Sequence, residues 1–201
     1  MTSHKQKIIA SFSRSAGQYD RHADIQKRMR RGLLKLVPVG CGRILDLGSG
    51  TGELAKELTG RIIGIDIAPG MVRVAKQKNK RKNVSFKVAD AERLPFKRES
   101  FDLVVSNASV QWMNLRRAAK EAARVLRSNG EFCFATFGPK TLKEVKKAGL
   151  SVNDFPDQHR IKQLLSKYFN RTIITAKLIK KKYRNIFELF KYLQAIGAQS
   201  P

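Results

Sequence analysis

Three carboxylates and a glycine run are the residues of this chain best suited to hold a small ligand. Asp46 precedes the glycine run over residues 48–52, Asp66 ends a second apolar stretch, and Asp90 ends a third. Glycines let the backbone bend sharply and let a ligand approach the main chain. A carboxylate at a strand end can accept both hydroxyls of a ribose. The pattern therefore predicts a crevice for a nucleotide-like ligand.

Strand and helix patterns alternate around these residues. Strands are predicted over residues 44–47, 62–66, 84–88, 101–107 and 131–137; the first two are expected to be buried, and the third alternates apolar and polar residues. One helix is predicted to begin at residue 53, a second to end near residue 78, and a third to cover residues 115–126, followed by a turn at residues 128–130. The helix from residue 53 would direct its free N–H groups at the ligand. Repeated β–α units imply a Rossmann-like α/β fold, a mostly parallel sheet with helices on both faces. Such sheets bind ligands at the carboxyl ends of their strands.

The two ends of the chain are expected to belong to the same domain as this core. Residues 1–40 are predicted to form an N-terminal helical cap over the crevice, with helices at residues 5–15 and 23–36. Residues 41–138 form the ligand-binding core. Residues 139–201 are predicted to add helices and a sixth strand, because residues 171–183 alternate apolar and polar side chains.

The glycine spacing and its neighbouring carboxylate narrow the choice of ligand. The spacing Gly48-x-Gly50-x-Gly52 departs in its last step from the G-x-G-x-x-G pattern of dinucleotide sites. A carboxylate beside the turn, here Asp46, disfavours a pyrophosphate, which binds donors and positive charge. It favours a ligand that carries an ammonium group, a carboxylate and a sulfonium centre.

Together these motifs resemble those of class I S-adenosylmethionine-dependent methyltransferases. The set consists of Asp-Leu-Gly-Ser-Gly-Thr-Gly at residues 46–52, the strand-end Asp66, the Asp90-Ala91 pair and Phe-Asp-Leu-Val-Val at residues 101–105. The resemblance implies S-adenosylmethionine as the cofactor. It implies contacts with the methionine part for Asp46, Gly48, Ser49, Gly50 and Ser106, close packing for Gly52, ribose binding for Asp66 and adenine contacts for Ile67, Asp90 and Ala91, with Met71 in the same site.

Three further segments resemble malonyl-acyl carrier protein O-methyltransferases, which open bacterial biotin synthesis. They are residues 8–23, 106–112 and 190–198, so the resemblance covers nearly the whole chain. It implies methyl transfer to the free carboxylate of a malonyl thioester on an acidic acyl carrier protein. Because that carboxylate is already ionised, alignment and exclusion of water suffice and no general base is expected. The acceptor pocket is expected to contain Tyr19, His22, Gln111 and Trp112, with an unassigned arginine at the carboxylate.

The charge of the chain keeps other acceptors open. Lysine and arginine number 41 against 16 acidic residues, a net charge of +25. This excess is spread along the chain and attracts polyanions, such as an acidic carrier protein or nucleic acid. An RNA methyltransferase stays an alternative, although residues 106–109 lack an Asn-Pro-Pro-aromatic motif. A small-molecule methyltransferase acting on a quinone precursor and a non-catalytic assembly factor of the same fold are two further alternatives.

The remaining features concern the cellular context and the C-terminal end. No apolar run has the length of a membrane span or a signal peptide, which predicts a cytoplasmic protein. Cys41 and Cys133 show no metal-ligand spacing, so no metal is expected. Members of the resembled family usually add a final antiparallel strand after the turn at residues 196–198. This chain stops at Pro201, so we expect its sheet to lack that strand.

Overall fold

A five-stranded sheet forms the centre of the protein, for which a computed structural model describes residues 3–150 and 152–198. The strands are β1 Arg43–Leu47, β2 Arg61–Asp66, β3 Val84–Val88, β4 Phe101–Asn107 and β5 Leu126–Ala135. All are parallel, and they lie in the order β3-β2-β1-β4-β5. The order reverses between β1 and β4, where open sheets of this kind bind ligands. The predicted Rossmann-like fold is confirmed.

Helices cover both faces of the sheet. They are α1 Ser3–Ser15, α2 Tyr19–His22, α3 Asp24–Leu34, α4 Pro69–Lys78, α5 Leu115–Val125, α6 Lys143–Lys147, α7 Gln158–Leu165 and α8 Ile186–Ala195, with a 3₁₀ turn over Val110–Trp112. Helices α3 and α4 pack around Ile44 and Ile62 on one face. Helix α5 packs around Leu45 and Val104 on the other, with α7 beyond it. None of the helices in the described ranges is long and apolar enough to cross a membrane.

The alternation of β1 between the two faces fixes where Asp46 lies. Ile44 packs on the side of α3 and α4, whereas Leu45 and Leu47 pack on the side of α5. Side chains two residues apart in a strand share a face, so Asp46 lies on the side of Ile44, where it is 1% exposed. The strand thus carries a buried carboxylate to the start of the glycine run.

The helix predicted from residue 53 is wrong. Residues 51–57, all of them described, form turns instead. Ala55 and Leu58 are buried, so the segment packs through its apolar side chains. Their backbone oxygens accept hydrogen bonds from the guanidinium of Arg81, which replaces the donors that a helix would supply. Residues 51–57 therefore supply no helix dipole behind the glycine run.

The sixth strand predicted over residues 171–183 is also wrong. These described residues join no ladder, and Ile173 and Leu178 are 70% and 57% exposed. A cleft of about 2910 Å³ lies between them and β5. Strand pairing needs backbones about 4.8 Å apart, so the alternating pattern has no partner edge within reach. An ion pair of 2.7 Å between Lys181 Nζ and Asp24 Oδ1 ties the segment to α3.

Strand β5 begins earlier than predicted, and the predicted turn over residues 128–130 lies inside it. Leu126 pairs with Phe101 and Glu131 pairs with Leu103. Strand β5 therefore advances by five residues over the stretch in which β4 advances by two. The extra residues leave the ladder as an enlarged β-bulge. The turn signal was therefore real, but it interrupts a strand and does not precede one.

Candidate active site

A small cavity of about 70 Å³ lies at the carboxyl ends of β1 to β4. Each of these four strands has a lining residue in it or just after it: Gly48 after β1, Asp66 in β2, Asp90 after β3 and Asn107 in β4. Helix α1 covers the cavity from the other side. Typical ligand pockets measure roughly 300–1,000 Å³, so this one is nearly closed by α1.

Positive backbone φ angles explain the glycine run. The angles are 64° at Gly48, 54° at Gly50 and 81° at Gly52, in the left-handed region that disfavours side chains. A Cβ atom at Gly48 would lie 1.7 Å from Ser109 Oγ, and one at Gly52 would lie 2.7 Å from Phe86 Cζ. Gly48 and Gly50 line the cavity, whereas Gly52 packs against Phe86 in the core.

Asp66 fastens the glycine loop and lines the cavity. Its Oδ2 accepts a hydrogen bond of 2.9 Å from the Gly50 N–H, and its Oδ1 accepts one of 2.8 Å from the Ala68 N–H. Burial raises the pKa of Asp66 to about 6, and these backbone donors limit the rise. A carboxylate oxygen has two acceptor positions, so each oxygen can still receive a hydroxyl group.

Three buried polar atoms near the glycine loop have no hydrogen-bond partner within the described part of the chain. They are Asp46 Oδ2, Ser49 Oγ and Asn107 Oδ1. Each such atom costs about 1–3 kcal/mol, which makes three in one place unusual. Burial raises the pKa of Asp46 to about 7, and the charge of Asp66 adds to the rise. The ammonium group of the expected cofactor, S-adenosylmethionine, fits these acceptors, whereas a pyrophosphate does not.

The residues expected at the adenine end all line the cavity; they are Ile67, Met71, Asp90 and Ala91. Asp90 Oδ1 accepts a hydrogen bond of 2.9 Å from the Glu92 N–H. Asp90 Oδ2 lies 2.7 Å from Lys5 Nζ of α1, and the same ammonium lies 2.9 Å from Glu92 Oε1. The carboxylate expected to receive the adenine amino group is therefore already in contact with a cation.

Ser106 lies beneath the site. It is fully buried, and its hydroxyl donates a hydrogen bond of 2.7 Å to the backbone oxygen of Leu47. This contact joins β4 to β1 below the glycine loop. Ser106, Asp46 and Ser49 are not among the described residues that line the cavity while α1 covers it. A direct contact of Ser106 with the cofactor stays a prediction.

Tyr19 and Trp112, two of the four residues predicted for the acceptor pocket, meet around an aromatic residue of α1. The ring of Phe12 lies 5.5 Å from that of Trp112, edge to face, and 6.5 Å from that of Tyr19. All three rings line the cavity. Burial, with the charges of Asp66 and Asp20, raises the pKa of Tyr19 well above its usual value. Its phenol is therefore protonated at neutral pH and can donate a hydrogen bond.

Gln111 and His22 lie elsewhere. The Gln111 amide donates a hydrogen bond of 2.7 Å to the Ala108 carbonyl and accepts one of 3.2 Å from Thr136 Oγ1. It lines the larger cleft beside β5 but not the small cavity. His22 is exposed at the end of α2 and lines neither space. The short helix α2 thus turns Tyr19 towards the site and leaves His22 in solvent.

The sequence patterns do not single out three residues that line the cavity: Lys5, Phe12 and Asn107. Lys5, Ile8 and Phe12 are spaced i, i+3 and i+7 in α1, so they share one helix face. That spacing is readable in the sequence of the predicted cap. Asn107 ends β4, and a polar residue at a carboxyl end is a signal of the same kind as Asp66.

The chain is similar to methyltransferases of known sequence. Residues 45–134 match the family described as a methyltransferase domain. The malonyl-[acyl-carrier protein] O-methyltransferase of Geobacter sulfurreducens is 38% identical, over 90% of this chain and 72% of that protein. That of Methylovorus sp. (strain MP688) is 34% identical, over 98% and 74%. The biotin biosynthesis bifunctional protein BioHC of Saccharophagus degradans is 39% identical, over 72% of this chain and 27% of that protein.

A solved structure supports the architecture. The S-adenosylmethionine-dependent methyltransferase of Thermotoga maritima matches with a TM-score of 0.65, over 80% of each chain and at 24% identity. At this identity the likeness concerns the fold alone. It agrees with a parallel sheet flanked by helices and a crevice at the carboxyl ends of the strands.

Proposed function

The chain belongs to the malonyl-[acyl-carrier protein] O-methyltransferase family, and on this basis we propose that it uses S-adenosylmethionine to methylate the free carboxylate of a malonyl thioester. The proposed acceptor is a malonyl group on an acidic acyl carrier protein. One observation carries the proposal: Asp66 and Asp90 line a crevice together with the rings of Tyr19 and Trp112, and the buried carboxylate of Asp46 lies two residues before Gly48 in its wall. It combines a cofactor site of fitting charge with an apolar roof for a small acceptor.

The residues of the crevice suit the parts of this cofactor. Bound S-adenosylmethionine supplies an activated methyl group on a positively charged sulfur. In our proposal Asp46 and Asn107 hold its ammonium group, Asp66 its ribose hydroxyls and Asp90 its adenine amino group. Hydrogen bonds of this kind, to charged groups, contribute about 1.5–3 kcal/mol each. Together they would hold the methyl donor in a fixed position beside the rings of Tyr19 and Trp112.

The aromatic roof serves the acceptor. Phe12, Tyr19 and Trp112 exclude water, which strengthens every electrostatic contact inside the site. The malonyl carboxylate is ionised at neutral pH, so no residue has to remove a proton. No arginine is among the described residues that line the cavity, and Lys5 is the one cation there. We therefore assign the orientation of the carboxylate to the phenol of Tyr19, which donates to one of its oxygens.

Transfer of label tests this function. The protein is incubated with methyl-labelled S-adenosylmethionine and, separately, malonyl-carrier protein, malonyl-coenzyme A and total RNA. We expect label in the malonyl acceptors, as an alkali-labile ester. Label confined to RNA would contradict the carboxylate assignment. Cofactor binding without transfer to any acceptor would instead support the assembly-factor alternative.

Helix α3 offers a basic surface for the carrier protein, and we include it in the proposal. Lys27 and Arg28 are exposed and adjacent in this helix, and the exposed Arg31 follows about one turn later. The helix adjoins the site, because the Gln26 carbonyl accepts a hydrogen bond of 3.1 Å from Asn107 Nδ2. Complementary charges of this kind accelerate the association of proteins.

Reversing the three charges of α3 tests that surface. The variant Lys27→Glu, Arg28→Glu, Arg31→Glu should raise the KM for malonyl-carrier protein about tenfold or more, because electrostatic steering is lost. The KM for malonyl-coenzyme A should change much less. The matched control reverses Lys80, Lys82 and Lys97, exposed residues before β3 and β4 at the other end of the sheet. Equal losses in the two variants would contradict docking at α3.

The cellular setting is also part of the proposal. Because the relatives include a protein named for biotin biosynthesis, we place the reaction in that pathway. We propose the cytoplasm as its location. Cys41 and Cys133 are both free thiols, which suits a reducing compartment.

A further inference from the structure

Helix α1 is attached firmly to the protein at its C-terminal end. Gly70 at the start of α4 lets it come close, since a Cβ atom there would lie 2.5 Å from the Ser13 backbone oxygen. Ser11 Oγ donates a hydrogen bond of 3.1 Å to the Gly197 carbonyl. The ring of Phe12 packs against Trp112. These contacts fix the last turns of α1.

The N-terminal end of α1 is attached by charge. Lys5 Nζ bridges Asp90 Oδ2 at 2.7 Å and Glu92 Oε1 at 2.9 Å, both in the loop after β3. The three side chains are 19%, 31% and 9% exposed, so the bridge is partly shielded from water. Glu92 is itself held, because its Oε1 accepts a hydrogen bond of 3.0 Å from the N–H of Asn114 before α5.

The cofactor cannot reach its proposed site while α1 stays in this position. The cavity between α1 and the strand ends measures about 70 Å³, and Lys5, Ile8 and Phe12 of α1 line it. A nucleoside-sized ligand needs several times that volume. The C-terminal end of α1 is packed against the protein, whereas its N-terminal end is held by the ion pairs of Lys5. Because partly exposed ion pairs are weak, the helix opens most easily at its N-terminal end.

We propose that Lys5 is a latch: by bridging Asp90 and Glu92 it closes α1 over the adenine end of the cofactor crevice and so sets the rates at which the cofactor binds and leaves. This inference rests on the proposed function only for the identity of the ligand. Lys5 acts as a positioning residue. It holds the lid, and it holds the Asp90 carboxylate in place.

The latch is compatible with a bound adenine. Asp90 receives Lys5 on Oδ2 and the Glu92 N–H on Oδ1, which occupies two of about four acceptor positions of a carboxylate. An adenine amino group can therefore bind Asp90 beside Lys5. Because the ligand needs more room than the closed cavity offers, α1 closes over it further out than in this structure, and the long side chain of Lys5 still reaches Asp90. Ile8 and Phe12 then cover the ligand and keep water from the site.

Substitutions at Lys5 test the latch through binding alone. Lys5→Met removes the charge and keeps the length of the side chain, whereas Lys5→Arg keeps both ion pairs. Lys7→Met is the matched control, because Lys7 is an exposed lysine of the same helix. Trp112 is the single tryptophan of the chain and lies against Phe12, so its fluorescence reports the position of α1. Stopped-flow mixing with S-adenosylhomocysteine follows that fluorescence.

We expect Lys5→Met to accelerate both association and dissociation of S-adenosylhomocysteine, the latter about tenfold, the effect of two partly shielded ion pairs. Acrylamide should also quench Trp112 of the ligand-free variant more strongly. Lys5→Arg and Lys7→Met should match the unchanged protein. An unaltered association rate in Lys5→Met, with slower or equal dissociation, would overturn the proposal. So would equal effects in Lys7→Met.

Glu92→Gln alone gives a second test if Lys5→Met folds poorly, because it removes one of the two ion pairs of Lys5. It should accelerate dissociation by a smaller factor than Lys5→Met, and an unchanged dissociation rate would contradict the latch. Combined in a double-mutant cycle, the two substitutions should change the dissociation rate no more than Lys5→Met alone, because both break the same bridge. Additive effects would contradict the latch. Binding of S-adenosylhomocysteine needs no methyl acceptor, so the latch stands or falls separately from the malonyl assignment.

Discussion

Asp46→Asn is expected to stabilise the protein at pH 8 and at the same time to weaken cofactor binding. The Asp46 carboxylate is 1% exposed, and its Oδ2 has no hydrogen-bond partner in the described structure. Ionised, it is a buried charge without compensation until a ligand supplies an ammonium group. Asparagine has nearly the same shape and no charge. Opposite changes in stability and binding indicate a residue kept for its ligand.

The effect on stability depends on pH in a definite direction. The pKa of Asp46 is about 7 in the folded protein because of burial and the charge of Asp66, against about 3.9 in an unfolded chain. Between about pH 4 and 7 the folded state therefore holds more protons, and stability falls as pH rises. At pH 8 the loss is complete and amounts to at most about 4 kcal/mol. Asp66, with a pKa of about 6, adds a smaller loss in the same direction.

Denaturant unfolding between pH 4 and pH 8 measures this dependence. Without ligand, Asp46→Asn should flatten the pH profile and raise the free energy of unfolding at pH 8 by about 1–4 kcal/mol. Titration with S-adenosylmethionine should show affinity that rises from pH 6 to pH 8 in the unchanged protein and less so in the variant. A variant that is less stable at pH 8, or that binds the cofactor unchanged, would refute the assignment of Asp46.

Asp66→Ala is expected to weaken S-adenosylmethionine binding by about 1–3 kcal/mol, or roughly 5- to 150-fold. Two causes act together. The ribose hydroxyls lose their acceptor, and the glycine loop loses the hydrogen bond from the Gly50 N–H to Asp66 Oδ2. Gly50, which has a positive φ angle, then loses the side-chain acceptor of its backbone N–H. Isothermal titration of the variant with S-adenosylmethionine measures the loss.

Asp66→Asn separates the two causes. Its amide keeps one acceptor oxygen, which can still receive the Ala68 N–H, but it can no longer receive Gly50 and both ribose hydroxyls as a carboxylate can. We expect an intermediate affinity. Thr59 is exposed and precedes β2, at the end of the sheet opposite the crevice, so Thr59→Ala gives a neutral control. Affinity that is unchanged in Asp66→Ala would rule out the ribose assignment.

Local sequence signals predicted the parts of this protein that depend on local chemistry. Apolar runs, and for β3 the alternation of apolar and polar residues, located all five strands, and the acidic residues that end or follow them lie at one edge of the sheet. Asp46, Asp66 and Asp90 could be ordered along a cofactor because parallel strands end on the same side. The early cap was predicted as well, since helices α1 and α3 precede the first strand.

Features that depend on distant partners could not be predicted. Residues 53–58 have helix-forming side chains, but Arg81 donates hydrogen bonds to the backbone oxygens of Ala55 and Leu58, and the segment forms turns instead. Residues 171–183 alternate like a strand, yet a wide cleft separates them from β5. The contact of Lys5 with Asp90 joins positions 85 residues apart, and no local pattern announces it. His22 is exposed at the end of α2, and its role in the acceptor pocket stays a prediction.

The mass of malonyl-carrier protein after incubation with this protein and S-adenosylmethionine shows whether the malonyl carboxylate is the methyl acceptor. We expect a gain of one methyl group on the malonyl unit, and this gain should leave together with that unit when the thioester is cleaved. It also predicts no gain on the carrier protein without malonate, because the free carboxylate is the acceptor. A malonyl-carrier protein of unchanged mass, at a cofactor concentration shown to saturate the site, would contradict it.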